Sequence, residues 1–256
     1  VFAVAEWLRN RSIEQTAIAA LLVSLVMAVV IAPWTYRNWK VFNEFIPITY
    51  NRGYVLYINN NDYNHYGGWM DPANFEVSEE FKARFVEKGT TFPEHPPQAD
   101  KIYRDEAIRW ISSHPVEFLK LGVLRVKNTF FNGAEDIVKW TMNQIDKENL
   151  DRQSLRKLNF YRALTDMIIY VLSSFGFFYT MIYLLWIING LFRKTPALDY
   201  KKAAVVLNIA FLAAVYFVTE GQPRYNFPAL FFLIAATVAS MELIIKNLGR
   251  NYREQT

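Results

Sequence analysis

The sequence predicts a mainly α-helical, polytopic membrane protein: four transmembrane helices, with a mixed α/β extracytoplasmic insertion between the first and the second. Three observations lead there. Apolar residues fill 52% of the 256 positions, and they are bunched rather than spread, as in chains made for a bilayer. The bunches form four uncharged runs, Thr16–Tyr36, Met167–Phe192, Ala203–Thr219 and Tyr225–Met241. At about 1.5 Å per residue, each crosses or nearly crosses a hydrocarbon core of about 30 Å. Basic residues gather where the runs leave the membrane on one side, the side that short loops keep in the cytoplasm. Buried core helices explain one or two such runs in a soluble protein of this size, but not four.

In chain order, the organisation is a first segment and span over 1–36, an extracytoplasmic domain over 37–160, and three further spans with a cytoplasmic tail over 161–256. Arg9 and Arg11 precede the first span, so it starts in the cytoplasm. Pro33 is expected to end or kink this helix, beside an interfacial belt of Trp34, Tyr36 and Trp39. Arg37 then sits at headgroup depth, either as an interfacial anchor or as a cation for a ligand. The third and fourth runs are short and are expected to recruit Lys202 and Glu242 at their rims. The loop 193–202 holds Arg193, Lys194, Lys201 and Lys202 against Asp199, and the tail holds Lys246, Arg250 and Arg253. Both ends of the chain therefore face the cytoplasm.

The insertion carries 17 Lys plus Arg and 17 Asp plus Glu. The chain's net charge of +4 thus reflects topology, and no nucleic-acid surface is expected. Within the insertion, Phe45–Ile58 reads as a hairpin that turns at Asn51-Arg52-Gly53 into a second strand, Tyr54–Ile58. Asn59, Asn60, Asn61, His65 and Tyr66 follow, with Gly67 and Gly68. Amides that donate and accept suit sugar hydroxyls, and the same composition suits a plain surface loop. Ala73–Lys88 and Asp100–Ser112 read as helices around a proline-bearing loop. Pro115 opens a further helix, with Phe118, Leu119, Val123, Val126 and Phe130 on one arc and Lys120, Arg125 and Lys127 largely opposite. Such a helix either lies on the membrane or packs on the rest of the insertion. His65, His95 and His114 lack metal-ligand spacing. No cysteine is present, so disulfides and thiolate metal sites are excluded.

Three stretches, in order, resemble one family. PWTYRN (Pro33–Asn38) leads through Phe42, Phe45-Ile46-Pro47 and Gly53 to LYINNN (Leu56–Asn61); AIRWISSHPVEFLKL covers Ala107–Leu121; PRYNFPALFFL begins at Pro223. Together they resemble GT-C fold glycosyltransferases, the polytopic enzymes related to protein O-mannosyltransferases and the lipid A aminoarabinose transferase. The resemblance implies a sugar on a polyprenyl phosphate as donor, a glycan, lipid or protein acceptor, no cofactor, and a bacterial plasma membrane. It also implies a catalytic acid, usually an aspartate, in a first extracytoplasmic loop upstream of Val1, and the chain is expected to be the C-terminal part of a longer one.

A lipid phosphate lies at the outer rim of the bilayer, where this topology puts Glu220–Tyr225. A guanidinium can grip a phosphate with two charge-assisted hydrogen bonds, which makes Arg224 the leading phosphate ligand. Tyr225 can add a hydroxyl, Glu220 can hold the arginine in place, and Arg37 is a second cation for the same group. A non-catalytic membrane scaffold or accessory subunit, with a glycan- or partner-binding outer domain, is the alternative. A transporter is disfavoured, since no span carries interior charges or paired broken helices.

Overall fold

The computed structural model describes residues 3–4, 6–7, 12–134, 150–193 and 199–254. Eight α-helices are used below: α1 (Ile13–Phe42), α2 (Arg52–Asn59), α3 (Glu79–Val86), α4 (Pro97–Ser113), α5 (Pro115–Phe130), α6 (Arg152–Arg193), α7 (Tyr200–Val218) and α8 (Phe227–Glu254). Four of them contain stretches long and apolar enough to cross a membrane: Ile13–Phe42, Arg152–Gly190, Lys201–Val218 and Pro223–Lys246. The protein is thus a mainly helical, integral membrane protein. Arg9, Arg11 and Lys194, on which part of the orientation reading rests, lie outside the described residues.

The expected β-structure is absent, since no strand occurs among the described residues. Tyr54–Ile58, read as the second strand of a hairpin, lies inside α2. Its run of aromatic and branched residues favours a strand locally, and tertiary contacts override that preference. Asn51, at the N-cap position, makes no side-chain cap. Instead Asp100 on α4 accepts hydrogen bonds from the backbone N–H groups of Gly53 (2.7 Å) and Tyr54 (3.2 Å). A carboxylate from 47 residues away thereby satisfies two donors that the first turn of α2 leaves open. A Cβ at Gly53 would overlap the Asp100 carbonyl, so only glycine admits α4 this close.

The rest of the insertion is built on that pair. Tyr57 and Ile58 join Phe75, Phe81, Phe85, Ile102 and Tyr103 in one core, with the Phe85 and Tyr103 rings 4.9 Å apart. Burial raises the phenol pKa values of Tyr57 and Tyr103 well above the ordinary range. The helix expected over Ala73–Lys88 is shorter. A 3₁₀ turn at Pro72–Asn74 comes first, and α3 starts only where Ser78 accepts from Phe81 N–H at 3.2 Å. Pro33 does not end the first span, which runs on through it to Phe42. The expected helices around Asp100–Ser112 and after Pro115 are both present, each with a proline in its first turn.

By contacts the chain divides into two units: Ile18–Arg125 with Tyr216–Gly221, and Val1–Ala17 with Val126–Val215 and Gln222–Thr256. In the second unit α6 and α8 pack along each other. Gly176 faces Leu233, and Thr237 donates its hydroxyl to Leu172 O at 3.3 Å.

Candidate functional site

The asparagine run after α2 is occupied by the fold. A helix leaves its last carbonyls without backbone donors. Here Asn59, Asn60 and Asn61 each turn the side-chain amide back by four residues, onto Val55 O (2.9 Å), Leu56 O (2.8 Å) and Tyr57 O (2.8 Å). Asn61 Oδ1 then accepts from the N–H groups of Tyr63 and Asn64, and Asn64 Oδ1 accepts from Gly67 N–H at 2.8 Å. The second amide hydrogen-bonds outward as well, from Asn64 Nδ2 to Ile58 O and Gly68 O. All four asparagines are buried, and their amides hold backbone in place. Gly67 closes the turn at φ +72°, in the left-handed region that favours glycine.

Behind this turn lies a residue that sequence reading placed on the polar face of α5. Arg125 is fully buried. Its Nη2 donates to Asn59 O and to Asn60 Oδ1 (2.8 Å), while Nη1 donates to Phe217 O (2.9 Å) and Val218 O (3.2 Å). Burial pulls its pKa down and the Glu220 carboxylate pushes it up, leaving it at about 10. The guanidinium therefore keeps its charge at neutral pH. Glu220 is itself buried, only 6% exposed. The arc on α5 is met in part: Phe130 is buried and Lys120 and Lys127 are exposed, whereas Arg125 departs from it and is buried with Leu121 and Gly122, and Leu119 and Val123 are exposed. Gly122, one turn before Arg125, was the available signal: a Cβ there would overlap the Phe217 ring.

Beside the asparagine turn is an open cleft of about 320 Å³. Asp62, His65, Trp110, Glu117 and Lys120 line it together with Asn61 and Asn64, above Leu121 and Leu124. Trp110 donates its indole N–H to Asp62 Oδ1 at 2.6 Å, and the His114 ring stacks on it at 5.0 Å. The cleft offers two carboxylates, an ammonium, an imidazole and an indole surface around one small volume. That set suits a polar ligand with an apolar face. Of the residues expected to contact sugar, Asn61 and His65 line the cleft, Asn59 and Asn60 are buried beside Arg125, and exposed Tyr66 does not line it. Asp62, Trp110, Glu117 and Lys120 were missed, because residues 48 apart in sequence meet here only through the packing of α2 on α4.

The four residues expected to hold a phosphate are divided between the units. Arg37 and Glu220 belong to one, Arg224 and Tyr225 to the other. Arg37 is exposed, donates to Asn38 Oδ1 at 3.1 Å, and lies over the Trp34 ring at 5.2 Å. Arg224 sits on the 3₁₀ turn Pro223–Asn226, half-buried, with its guanidinium 5.3 Å from the centre of the Tyr225 ring. Asn226, at the end of that turn, donates to Gly133 O at 3.3 Å. Among the described residues, no group of three or more His, Cys, Asp or Glu side chains could hold a metal ion. No protein-family model, no curated protein and no solved structure matches the chain.

Proposed function

We propose that the chain works as an integral-membrane glycosyltransferase, moving a sugar from a polyprenyl-phosphate donor to an acceptor on the extracytoplasmic face of a bacterial plasma membrane. One observation carries this reading. A chain with four helices fit to cross a bilayer also holds a cleft where hydrogen-bonding groups of both kinds surround an indole. Sugar rings present hydroxyls at their edges and C–H groups on their faces, and such a cleft serves both. The ordered resemblance of PWTYRN, AIRWISSHPVEFLKL and PRYNFPALFFL to GT-C enzymes supports the same reaction class.

In this reading the cleft receives the sugar or the acceptor. Arg224 and Tyr225 take the lipid phosphate. As the sugar departs, negative charge builds on that phosphate, and a cation fixed in place lowers the barrier. Losing one such donor costs about 3 kcal/mol, on the order of a hundredfold in rate. Lysine replaces it poorly, because an ammonium lacks the two-pronged geometry.

The test is incubation of the full-length natural protein, in membranes, with a radiolabelled polyprenyl-phosphate sugar, with and without an acceptor extract. Arg224→Ala should abolish transfer while expression and span labelling stay intact, and Arg224→Lys should recover little. Normal transfer by Arg224→Ala removes the phosphate role. A cysteine placed at Gln222 that reacts only from the cytoplasmic side overturns the topology. Saturable glycan binding without turnover identifies an accessory subunit instead.

A further inference from the structure

The last carbonyls of a helix are the negative end of its dipole and lack donors within the helix. At Arg125 two such ends meet. α2 ends at Asn59 and α7 at Val218, and one guanidinium donates to the final carbonyls of both. A fourth bond reaches the Asn60 side chain. Four acceptors outnumber the donors of an ammonium, whereas a guanidinium has N–H groups enough, in a fixed plane, to serve them all at once.

The surroundings are shaped to this contact. The Gly221 N–H donates to Gly67 O at 3.3 Å, and a Cβ at Gly221 would overlap the Arg125 backbone. At Gly67 a Cβ would come within 3.1 Å of Arg125 Cγ. Phe118 and Phe217 meet edge to face at 5.9 Å, with the guanidinium 6.0 Å from the centre of the Phe118 ring. Glu220, buried in the same short segment, supplies the compensating negative charge. Asn61, Leu121 and Leu124, which line the cleft, are close neighbours in sequence of Asn60 and Arg125.

We propose that Arg125 is a positioning residue. It fastens residues 216–221 to the C-terminal end of α2, and so fixes the Glu220 carboxylate. It touches no substrate. The requirement is for its fork, not for its charge alone. Only the catalytic arm of the test below rests on the glycosyltransferase reading.

The chain has no cysteine, so spin labels at Ser112→Cys and Val218→Cys report one distance within this unit by pulsed electron resonance. The unsubstituted protein should give a single narrow distribution. Arg125→Lys and Arg125→Met should broaden and shift it, and Asn60→Ala, which removes one of the four acceptors, should broaden it less. In the transfer assay, Arg125→Lys should lower kcat by about a hundredfold with KM unchanged, as misplacement of a reacting group by about 1 Å does. A narrow distribution in Arg125→Lys overturns the proposal. So does loss of transfer without broadening, or broadening without loss of transfer. If Arg125→Met does not accumulate in the membrane, Asn60→Ala decides the distance arm. If the unsubstituted protein transfers no sugar, the glycosyltransferase reading fails, and the distance in Arg125→Lys alone decides whether Arg125 fastens the segment.

Discussion

The core of the insertion and the helix pair α6–α8 are both closely packed, and they are packed from different residues. In the insertion, rings do the filling: Tyr57, Phe81, Phe85 and Tyr103 are buried together. On α6 and α8 the buried positions include many small or hydroxylic residues, Ser173, Gly176, Thr180, Ala229, Ala236, Thr237 and Ser240, along with Ile169, Tyr179, Ile187 and Leu233. The difference follows from the solvent each region leaves on folding. A ring removed from water gains the full hydrophobic term, about 25 cal/mol per Å² of apolar area. A ring removed from lipid gains almost none, so helices in a bilayer associate through close backbone approach and hydrogen bonds. Aromatic residues therefore dominate one region, and small residues take a larger share of the other.

Three substitutions sharpen this contrast. Phe85→Ala opens a cavity in a core where Phe85 is fully buried, and a loss of about 3–5 kcal/mol is expected. A thermal melt of the full chain in detergent, followed by near-ultraviolet circular dichroism, measures it. A melt shifted no further than by a surface substitution would show that the rings are not what holds the insertion. Gly176→Val tests the opposite rule. A Cβ at Gly176 lies 2.6 Å from Leu233 Cδ2, so enlarging it pushes the helices apart, at a cost of about 1–3 kcal/mol. Titration with a denaturing detergent reads that loss, and a stabilising outcome would place the pair under water-like rules. Thr237→Val removes the bond to Leu172 O and keeps the shape. A loss of only about 0.6 kcal/mol is expected by the same titration.

How much of this could be read from the sequence depended on how far the determining contact lay along the chain. The four spans were legible because an uncharged run is a local property, and α5 because Pro115 marks its first turn; α4 was legible as a helix, but Pro97, which opens it, was read as part of the preceding loop. α2 was misread as a strand because its cap is Asp100, whose position relative to Gly53 no local pattern reveals. Asn59, Asn60 and Asn61 were read from composition as either a sugar-contacting or a plain surface loop, and their amides close the end of a helix, with Asn61 also lining the cleft. Arg125 was hidden because a helical wheel assigns a cation to the wet face. Its burial depends on carbonyls at residues 217 and 218, more than ninety positions away. The candidate cleft was half visible, through Asn61 and His65, and the other half awaited the packing of α4 on α2.

Among the described residues, the apolar window of α1 has none buried. Between Leu21 and Val30 its side chains thus answer to the bilayer's thickness and polarity, and any greasy residue of roughly similar length satisfies that demand. Evolutionary drift should run freely along this stretch and stop at Asn38, which is buried and donates to Ile46 O and Ile48 O. One helix therefore carries both a permissive spelling and a strict one.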